Sequence, residues 1–170
     1  SQTALEISSK DINNYFSGLG SDKHVEVIIR DTEDNPAKAL EQLKALDEMG
    51  IKIVIGPQSS NNAEAVLEYA ENNGIVLLST ASTAPSLAVA DDNLFRLVPD
   101  DSNQGMVLAT MMKEEKVDTV IPIYRNDTWG NGLREETAKH FDGTVMEGIS
   151  YDSATEDFSA EVEALNEKVI

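Results

Sequence analysis

Two apolar runs that each end in a hydroxyl-rich loop constrain the fold of this chain most. Residues 51–55 lead into Gly-Pro-Gln-Ser-Ser-Asn at 56–61, and residues 75–78 lead into Ser-Thr-Ala-Ser-Thr-Ala-Pro at 79–85. Residues 63–73, between the two loops, have a helical pattern, so the unit is strand, loop, helix, strand, loop. Such continuous apolar runs are typical of buried strands in a parallel sheet. Ligands bind beyond the carboxyl ends of such strands, where these two loops would lie side by side.

The rest of the chain continues this alternation of strands and helices, which predicts an α/β fold with parallel, doubly wound sheets. An N-terminal helix is expected to end at Gly18 and Gly20, and a helix that begins at Asn35-Pro36 is expected to end at Gly50. Further strands are predicted over 25–29, 94–98, 120–124 and 144–151, and further helices from a Ser102 cap, over 132–141 and over 158–169.

Composition excludes several kinds of partner and site. The 170 residues carry a formal net charge of −18, whereas nucleic acids and anionic membranes need a basic surface, so neither is an expected partner. The chain has no cysteine, which excludes disulfides, thiolate catalysis and cysteine-based metal sites. His24 and His140 are expected to be exposed, and no metal site is predicted. No apolar run approaches the roughly 20 residues that span a bilayer.

Motifs for catalysis or cofactor binding are not found in the sequence. Gly130-Asn131-Gly132 does not continue into the dinucleotide fingerprint, because Glu135 stands where the third glycine is needed. Neither a phosphate-binding loop nor a nucleophile elbow is present. The acidic pairs Asp91-Asp92 and Asp100-Asp101 are expected to decorate loops rather than to transfer protons. We therefore expect a binding protein without a cofactor, and not an enzyme.

The order of segments resembles the type I periplasmic binding proteins, the branched-chain amino acid and amide receptors of ABC transporters. The matching stretches cover nearly the whole chain in order: 25–32 with Asp31-Thr32, 35–39, 50–60, 74–85, Phe95-Arg96, Gln104-Gly105, 127–130, and Tyr151 with Asp157-Phe158. The resemblance implies two α/β lobes that close over a ligand. Residues 1–100 would form the first lobe without its first strand. Residues 101–170 would form the hinge, near 100–102, and the beginning of the second lobe, most of which is missing.

The resemblance also implies a ligand site. Ser60, Ala81 and Thr83 match first-lobe contacts to the carboxylate and amino groups of an amino acid, and Ser82 lies in the same hydroxyl run. Trp129 falls where the second lobe supplies an aromatic residue to the cleft. The family's other contacts come from the loop after the first strand and from deeper in the second lobe. Both regions are expected to lie outside these 170 residues, so the ligand's identity stays open.

The residues themselves leave structural alternatives open. Ser59, Ser60 and Asn61 precede a helix, so a hydroxyl there can be an N-cap, a ligand contact at the positive helix end, or both. Residues 79–83 can be a polar turn between strands. A lone tryptophan is more often a core residue, although the predicted loop around Trp129 favours the cleft.

We expect an extracytoplasmic solute-binding protein that captures an amino acid, an amide or a related carboxylate. Hinge closure would then present the ligand to the membrane permease of an ABC transporter. The alternative is a ligand-sensing domain of the same fold that acts on a signalling partner. Without a first strand, the sheet is expected to pair with a further segment or with another molecule.

Overall fold

The computed structural model describes residues 2–169, which form two compact units, one up to Asp31 and one from Thr32 onward. Helix α1, Gln2–Gly18, makes up most of the first unit, as predicted. The predicted strand over 25–29 is wrong, because this segment pairs with no strand among the described residues. Strands need backbone partners. The backbone N–H and C=O of Val25 bond instead to the side-chain amide of Asn13, at 2.7 and 2.8 Å.

The second unit begins with a three-stranded parallel sheet. Its elements are α2 (Pro36–Glu48), β1 (Ile53–Ile55), α3 (Ser60–Asn72), β2 (Val76–Ser79), a short 3-10 helix (Pro85–Leu87) and β3 (Leu94–Arg96). The strand order is β1-β2-β3, with Val54 opposite Leu77 and Leu77 opposite Leu94. The predicted parallel arrangement is therefore confirmed. The prediction that a further segment or another molecule pairs with this sheet stays a prediction, as does the division into lobes at residue 100.

Local sequence explains where α2 begins and ends. The Asn35 side chain accepts the Lys38 N–H at 3.0 Å, and Pro36 takes the first helical position, where no N–H is needed. Gly50 follows the helix with a φ of 81°, which glycine adopts at little cost. Both predicted limits of this helix are confirmed.

One face of the sheet forms the core of this part of the chain. Leu43 from α2, Val66 from α3 and Leu77 from β2 are at most 4% exposed and pack in one cluster. The strand residues Ile53 and Phe95, by contrast, are 66% and 54% exposed. The expectation that these apolar strands are buried therefore holds for one face only, since α2 and α3 cover the side to which Leu77 points.

The remaining elements form a second block within the same unit. They are α4 (Ser102–Glu114), β4 (Thr119–Val120), β5 (Ile123–Arg125), α5 (Thr128–His140), β6 (Thr144–Val145), β7 (Ile149–Tyr151) and α6 (Ser159–Val169). β4 pairs with β6, and β5 pairs with β7, both in parallel. None of the described helices combines the length and the apolar character needed to cross a lipid bilayer.

The predicted single strands over 120–124 and 144–151 are wrong, because each is divided into two short strands. Pro122 interrupts the first, since it has no N–H to donate to a ladder. Its carbonyl accepts the Ile149 N–H at 2.8 Å, so the partner strand resumes there. A Cβ at Gly148 would lie 2.8 Å from the same carbonyl oxygen, so the chain needs glycine at this approach.

Helix α5 packs closely against its neighbours and thereby places the start of the second block beside the first sheet. A Cβ built on Gly105 of α4 would lie 2.7 Å from the backbone carbon of Glu136 in α5. A Cβ on Gly132 would lie 3.1 Å from the Pro85 side chain. The N-terminal half of α5 therefore lies against the 3-10 helix that follows the second hydroxyl-rich loop.

Candidate ligand site

The two hydroxyl-rich loops lie side by side and are joined by one side chain. We call residues 56–61 the first hydroxyl loop and residues 79–85 the second hydroxyl loop. The Ser60 hydroxyl oxygen accepts hydrogen bonds from the backbone N–H groups of Thr83 and Ala84, both at 3.1 Å. Ser60 is 2% exposed and Ala84 is fully buried. These bonds do not use the hydroxyl proton of Ser60, which can therefore point to a further acceptor.

The N-terminus of α3 separates the roles of the adjacent serines. Ser59 has extended backbone angles and its side chain accepts the Asn62 N–H, so Ser59 is the N-cap. Helix α3 consequently begins at Ser60, three residues before the predicted helical pattern. Asn61 is the second residue of the helix and is partly exposed. The cap and the link between loops are thus made by Ser59 and Ser60 respectively, an assignment that the sequence left open.

Ser79 and Ser82 form a buried network inside the second hydroxyl loop. Ser79 donates its hydroxyl to the Pro57 carbonyl at 2.6 Å and accepts the Ser82 N–H and hydroxyl at 3.1 and 2.7 Å. Ser82 is 1% exposed, while Ala81 is exposed. The polar-turn interpretation therefore accounts for Ser82, because its N–H and its hydroxyl are both donated to Ser79, and its contact to a ligand stays a prediction.

Thr83 is held by an acidic side chain that sequence reasoning assigned to the surface. The Thr83 hydroxyl donates to the Asp101 carboxylate at 2.8 Å, and the Asp101 N–H donates to the Thr83 carbonyl at 2.9 Å. Asp101 is 3% exposed, so the expectation that it decorates a loop is wrong. Asp101, not Ser102, is also the N-cap position of α4, and the Ser102 N–H donates to Asp100 at 3.0 Å.

Several neighbouring groups act on the charge of the Asp101 carboxyl. Burial raises the pKa of the Asp101 carboxyl, and the neighbouring Asp100 charge acts in the same direction. The Thr83 hydroxyl, the Trp129 side chain and the Arg96 charge partly offset this rise. Arg96 also donates to the Ala84 carbonyl at 2.8 Å, which fixes the end of the second hydroxyl loop.

Trp129 lies in the first turn of α5 rather than in the predicted loop, and the prediction that this helix starts at 132 is wrong. The Asp127 side chain caps the helix by accepting the Gly130 N–H at 2.8 Å. A Cβ on Gly130 would lie 2.0 Å from the Arg125 carbonyl oxygen, so this glycine permits close packing rather than a loop. The Arg125 guanidinium lies 5.4 Å from the centre of the indole ring.

Thr83 and Trp129 thus approach one carboxylate, Asp101, from two different elements. The Trp129 side chain, whose sole donor is the indole N–H, lies near enough to lower the pKa of Asp101. Ser60 and Thr83 are brought together with Trp129 within one region. The only sequence signal for Asp101 was its position between a strand and a helix, which does not distinguish a buried carboxylate from an exposed cap.

A separate cavity of about 270 Å³ lies between α4, α5 and the short strands of the second block. Its lining is mainly apolar and includes Leu108, Trp129, Leu133 and Phe141. Neither hydroxyl loop lines it, so it lacks the paired groups that orient a zwitterion. Within residues 2–169, no three His, Asp or Glu side chains are placed to share a metal ion.

The fold and the strand-end loops define an α/β ligand-binding protein, and similarity to known proteins gives its family. The sequence pattern of the family described as "Receptor family ligand binding region" matches residues 1–169. The chain belongs to this family and is a type I periplasmic binding protein, which confirms the resemblance drawn from its segments. The matching family is described as ligand-binding, and the relatives with a described role are binding or receptor proteins.

Curated relatives include proteins of archaea and bacteria. The chain is 30% identical to an uncharacterized protein of Methanocaldococcus jannaschii, over 96% of this chain and 42% of that protein. It is 29% identical to the chemotactic signal transduction system substrate-binding protein BasB of Halobacterium salinarum, over 76% of this chain and 33% of the relative. It is also 29% identical to the Leu/Ile/Val-binding protein of Citrobacter freundii, over 99% of this chain and 47% of the relative. The chain therefore spans less than half the length of each.

A solved structure agrees with the fold. The substrate-binding protein LivJ of the Streptococcus pneumoniae branched-chain amino acid transporter, in complex with isoleucine, superimposes with a TM-score of 0.76 at 21% identity. The match covers 96% of this chain and 49% of LivJ. The predicted α/β fold with parallel sheets is therefore confirmed, over about half of a two-lobe protein.

Proposed function

We propose that this protein captures an amino acid, or a related carboxylate or amide, on its two hydroxyl loops. The observation that carries the proposal is a pair of opposite electrical poles at one site. The N-terminus of α3, with the Ser60 hydroxyl, offers a partial positive charge suited to a carboxylate. The Asp101 carboxylate, bonded to Thr83, offers the negative charge suited to an ammonium group.

The contacts of the loops support this proposal. Ser60 and Thr83 lie next to one another because the Ser60 oxygen accepts the Thr83 N–H at 3.1 Å. A zwitterionic α-amino acid carries both charged groups on the same carbon atom, so it suits poles that are this close. The exposed Ala81 leaves its carbonyl as a further acceptor beside Thr83. The Leu/Ile/Val-binding protein of Citrobacter freundii supports an apolar amino acid as the first candidate.

We propose, further, that Trp129 is the aromatic wall of the cleft and that the second block closes over the ligand by rotation near residues 100–102. Closure about a hinge excludes water from the bound charges and strengthens their interactions. The proposed location is extracytoplasmic, and the proposed partner is the permease of an ABC transporter. The similarity to BasB favours a second candidate, in which the closed form acts on a chemotactic signalling partner.

Isothermal titration calorimetry of the protein against the twenty common amino acids and small amides tests the proposal. We expect binding without turnover. Thr83→Ala should weaken binding by about 1–3 kcal/mol, because a buried charged group of the ligand loses a partner. Thr80→Ala is the matched control, since Thr80 is an exposed threonine of the same loop. The Thr80→Ala protein should bind the ligand with the same affinity as the wild type.

Two results would contradict the proposal. If no amino acid and no small amide binds, the proposed ligand class is wrong. If Thr83→Ala and Thr80→Ala bind equally well, Thr83 is not part of the site. The two candidate roles are separated by adding the ligand-loaded protein to membranes that contain either the permease or the chemotaxis receptor, and measuring uptake or signalling.

A further inference from the structure

Three elements of the second unit converge on the Asp101 carboxylate. Thr83, which follows β2, donates its hydroxyl to this carboxylate at 2.8 Å, and the Trp129 side chain, at the start of α5, lies near enough to lower its pKa. Asp101 itself stands at the start of α4. Because Asp101 is 3% exposed, solvent does not provide the interactions that a surface carboxylate would have.

The bond to Asp101 determines what Thr83 can offer to a ligand. A threonine hydroxyl has one proton and two lone pairs. The proton of Thr83 is directed to Asp101, so only lone pairs remain for a bound molecule. Lone pairs accept hydrogen bonds from an ammonium or amide N–H and repel a carboxylate, which is acceptor-only. The sequence alone left both uses of Thr83 open, and this contact chooses between them.

We propose that Asp101 is a positioning residue that makes the Thr83 side of the site select ligands with a protonated amine. Asp101 acts through Thr83, whose hydroxyl it orients, and through the negative charge that it adds behind this hydroxyl. The inference rests on the proposed function, since it assigns the polarity of that same site. Its consequence is that an amino acid binds and the same carboxylic acid without its amino group is rejected.

The other charges near Asp101 do not cancel this polarity. Asp100 adds a second negative charge, and Arg96 supplies a positive one. Arg96 directs one guanidinium nitrogen to the Ala84 carbonyl at 2.8 Å, so its side chain is partly engaged with the loop backbone. The Arg125 guanidinium lies over the Trp129 ring, 5.4 Å from the ring centre. The Thr83 hydroxyl donates to Asp101 and to none of these three neighbouring charges.

The test compares each amino acid that binds the wild type with the carboxylic acid that lacks its amino group, for example L-leucine with 4-methylpentanoate. The wild type should prefer the amino acid, and Asp101→Asn should reduce this preference by about tenfold or more, because a charge-assisted interaction is lost. Asp100→Asn is the matched control: it removes a neighbouring negative charge, but its carboxylate bonds to the Ser102 N–H and not to Thr83, so it should reduce the preference clearly less than Asp101→Asn does. A merely structural role for Asp101 would weaken both ligands equally, and the inference would then be wrong.

Variants at Thr83 keep the test decisive if Asp101→Asn does not fold. Thr83→Ser retains the hydroxyl and should retain the preference for the amino acid. Thr83→Val has the same shape without the hydroxyl and should lose the preference. Equal preferences in these two variants would overturn the inference. If the wild type binds no amino acid at all, the proposed function itself fails, and the inference fails with it.

A measurement without ligand tests the geometry separately. Trp129 is the sole tryptophan, so the intrinsic fluorescence of the protein reports on the indole beside Asp101. In the wild type this fluorescence should change in one step at a pH above the usual range of aspartate, since burial raises the pKa of Asp101. The step should vanish in Asp101→Asn and persist in Asp100→Asn. A step that persists in Asp101→Asn would show that the carboxylate does not contact Trp129.

Discussion

Replacement of Ser60 by alanine should destabilise the protein even in the absence of ligand. The Ser60 oxygen accepts two backbone N–H groups, those of Thr83 and Ala84, and both bonds are lost in Ser60→Ala. Ala84 is fully buried, so its unpaired N–H costs about 1–3 kcal/mol. Thr83 is only partly buried and its N–H can reach water, so its loss costs about 0.5–1.5 kcal/mol.

Helix propensity acts in the opposite direction, because alanine is a better helix former than serine. This gain is at most about 0.5 kcal/mol. The expected net loss for Ser60→Ala is therefore about 1–4 kcal/mol. The assay is urea unfolding of the ligand-free protein followed by circular dichroism, with the midpoint compared at an unchanged dependence on urea concentration.

The adjacent Ser59→Ala variant is the control for a serine in the same turn. Ser59 caps α3 through a 3.4 Å bond from the Asn62 N–H, which is long, so its loss should cost about 1 kcal/mol or less. We therefore expect a larger loss of stability in Ser60→Ala than in Ser59→Ala. An equal effect at both positions, or a Ser60→Ala protein as stable as the wild type, would refute the claim that Ser60 joins the loops.

Two further substitutions test the packing and the charges of the second unit. Gly105→Ala should lower the thermal midpoint by an amount equivalent to about 1–3 kcal/mol, because its Cβ would lie 2.7 Å from the backbone of α5. Gly18→Ala, which meets no atom within 4 Å, should not lower it, and equal effects would contradict the packing. Hydrogen bonds from Lys52 and Tyr69 lower the pKa of Asp47, so its stabilising effect is present at neutral pH and is lost as the pH falls through its titration. The difference in thermal midpoint between wild type and Asp47→Asn should shrink on acidification, and a constant difference would count against this contact.

The parts of the fold that could be predicted from sequence depend on local physics. The limits of α2 depend on single residues: Asn35 caps the helix, Pro36 has a fixed φ that suits its first position, and Gly50 adopts the positive φ that follows its end. Continuous apolar runs gave β1 and β2 because strands buried in a parallel sheet need no alternation. The segment 25–29 is also rich in apolar residues, although Glu26 interrupts it, and it forms no strand, since a strand also requires a partner that pattern alone does not reveal.

The location of the candidate site could be predicted from the sequence, but the role of each residue within it could not. Strand ends that carry hydroxyl loops point to the edge of the sheet where Ser60 and Thr83 meet. The sequence could not tell the cap, Ser59, from the link, Ser60, since both residues are serines one position apart. Asp101 was misjudged because its burial depends on how α5 packs, and tertiary packing of distant elements leaves no trace in a local acidic pair.

The two poles of the proposed site differ in how they are built, and this difference bears on ligand selection. The positive pole belongs to the backbone N–H groups of α3, and a partial charge of this origin, about half an elementary charge, persists through side-chain changes. The negative pole belongs to one side chain, Asp101. Recognition of the ligand carboxylate should therefore tolerate substitution at Ser60 better than recognition of the amine tolerates substitution at Asp101. A neutral residue at position 101 would remove the negative charge to which the Thr83 hydroxyl donates its proton. A single substitution there should therefore change whether this hydroxyl favours an ammonium or a carboxylate.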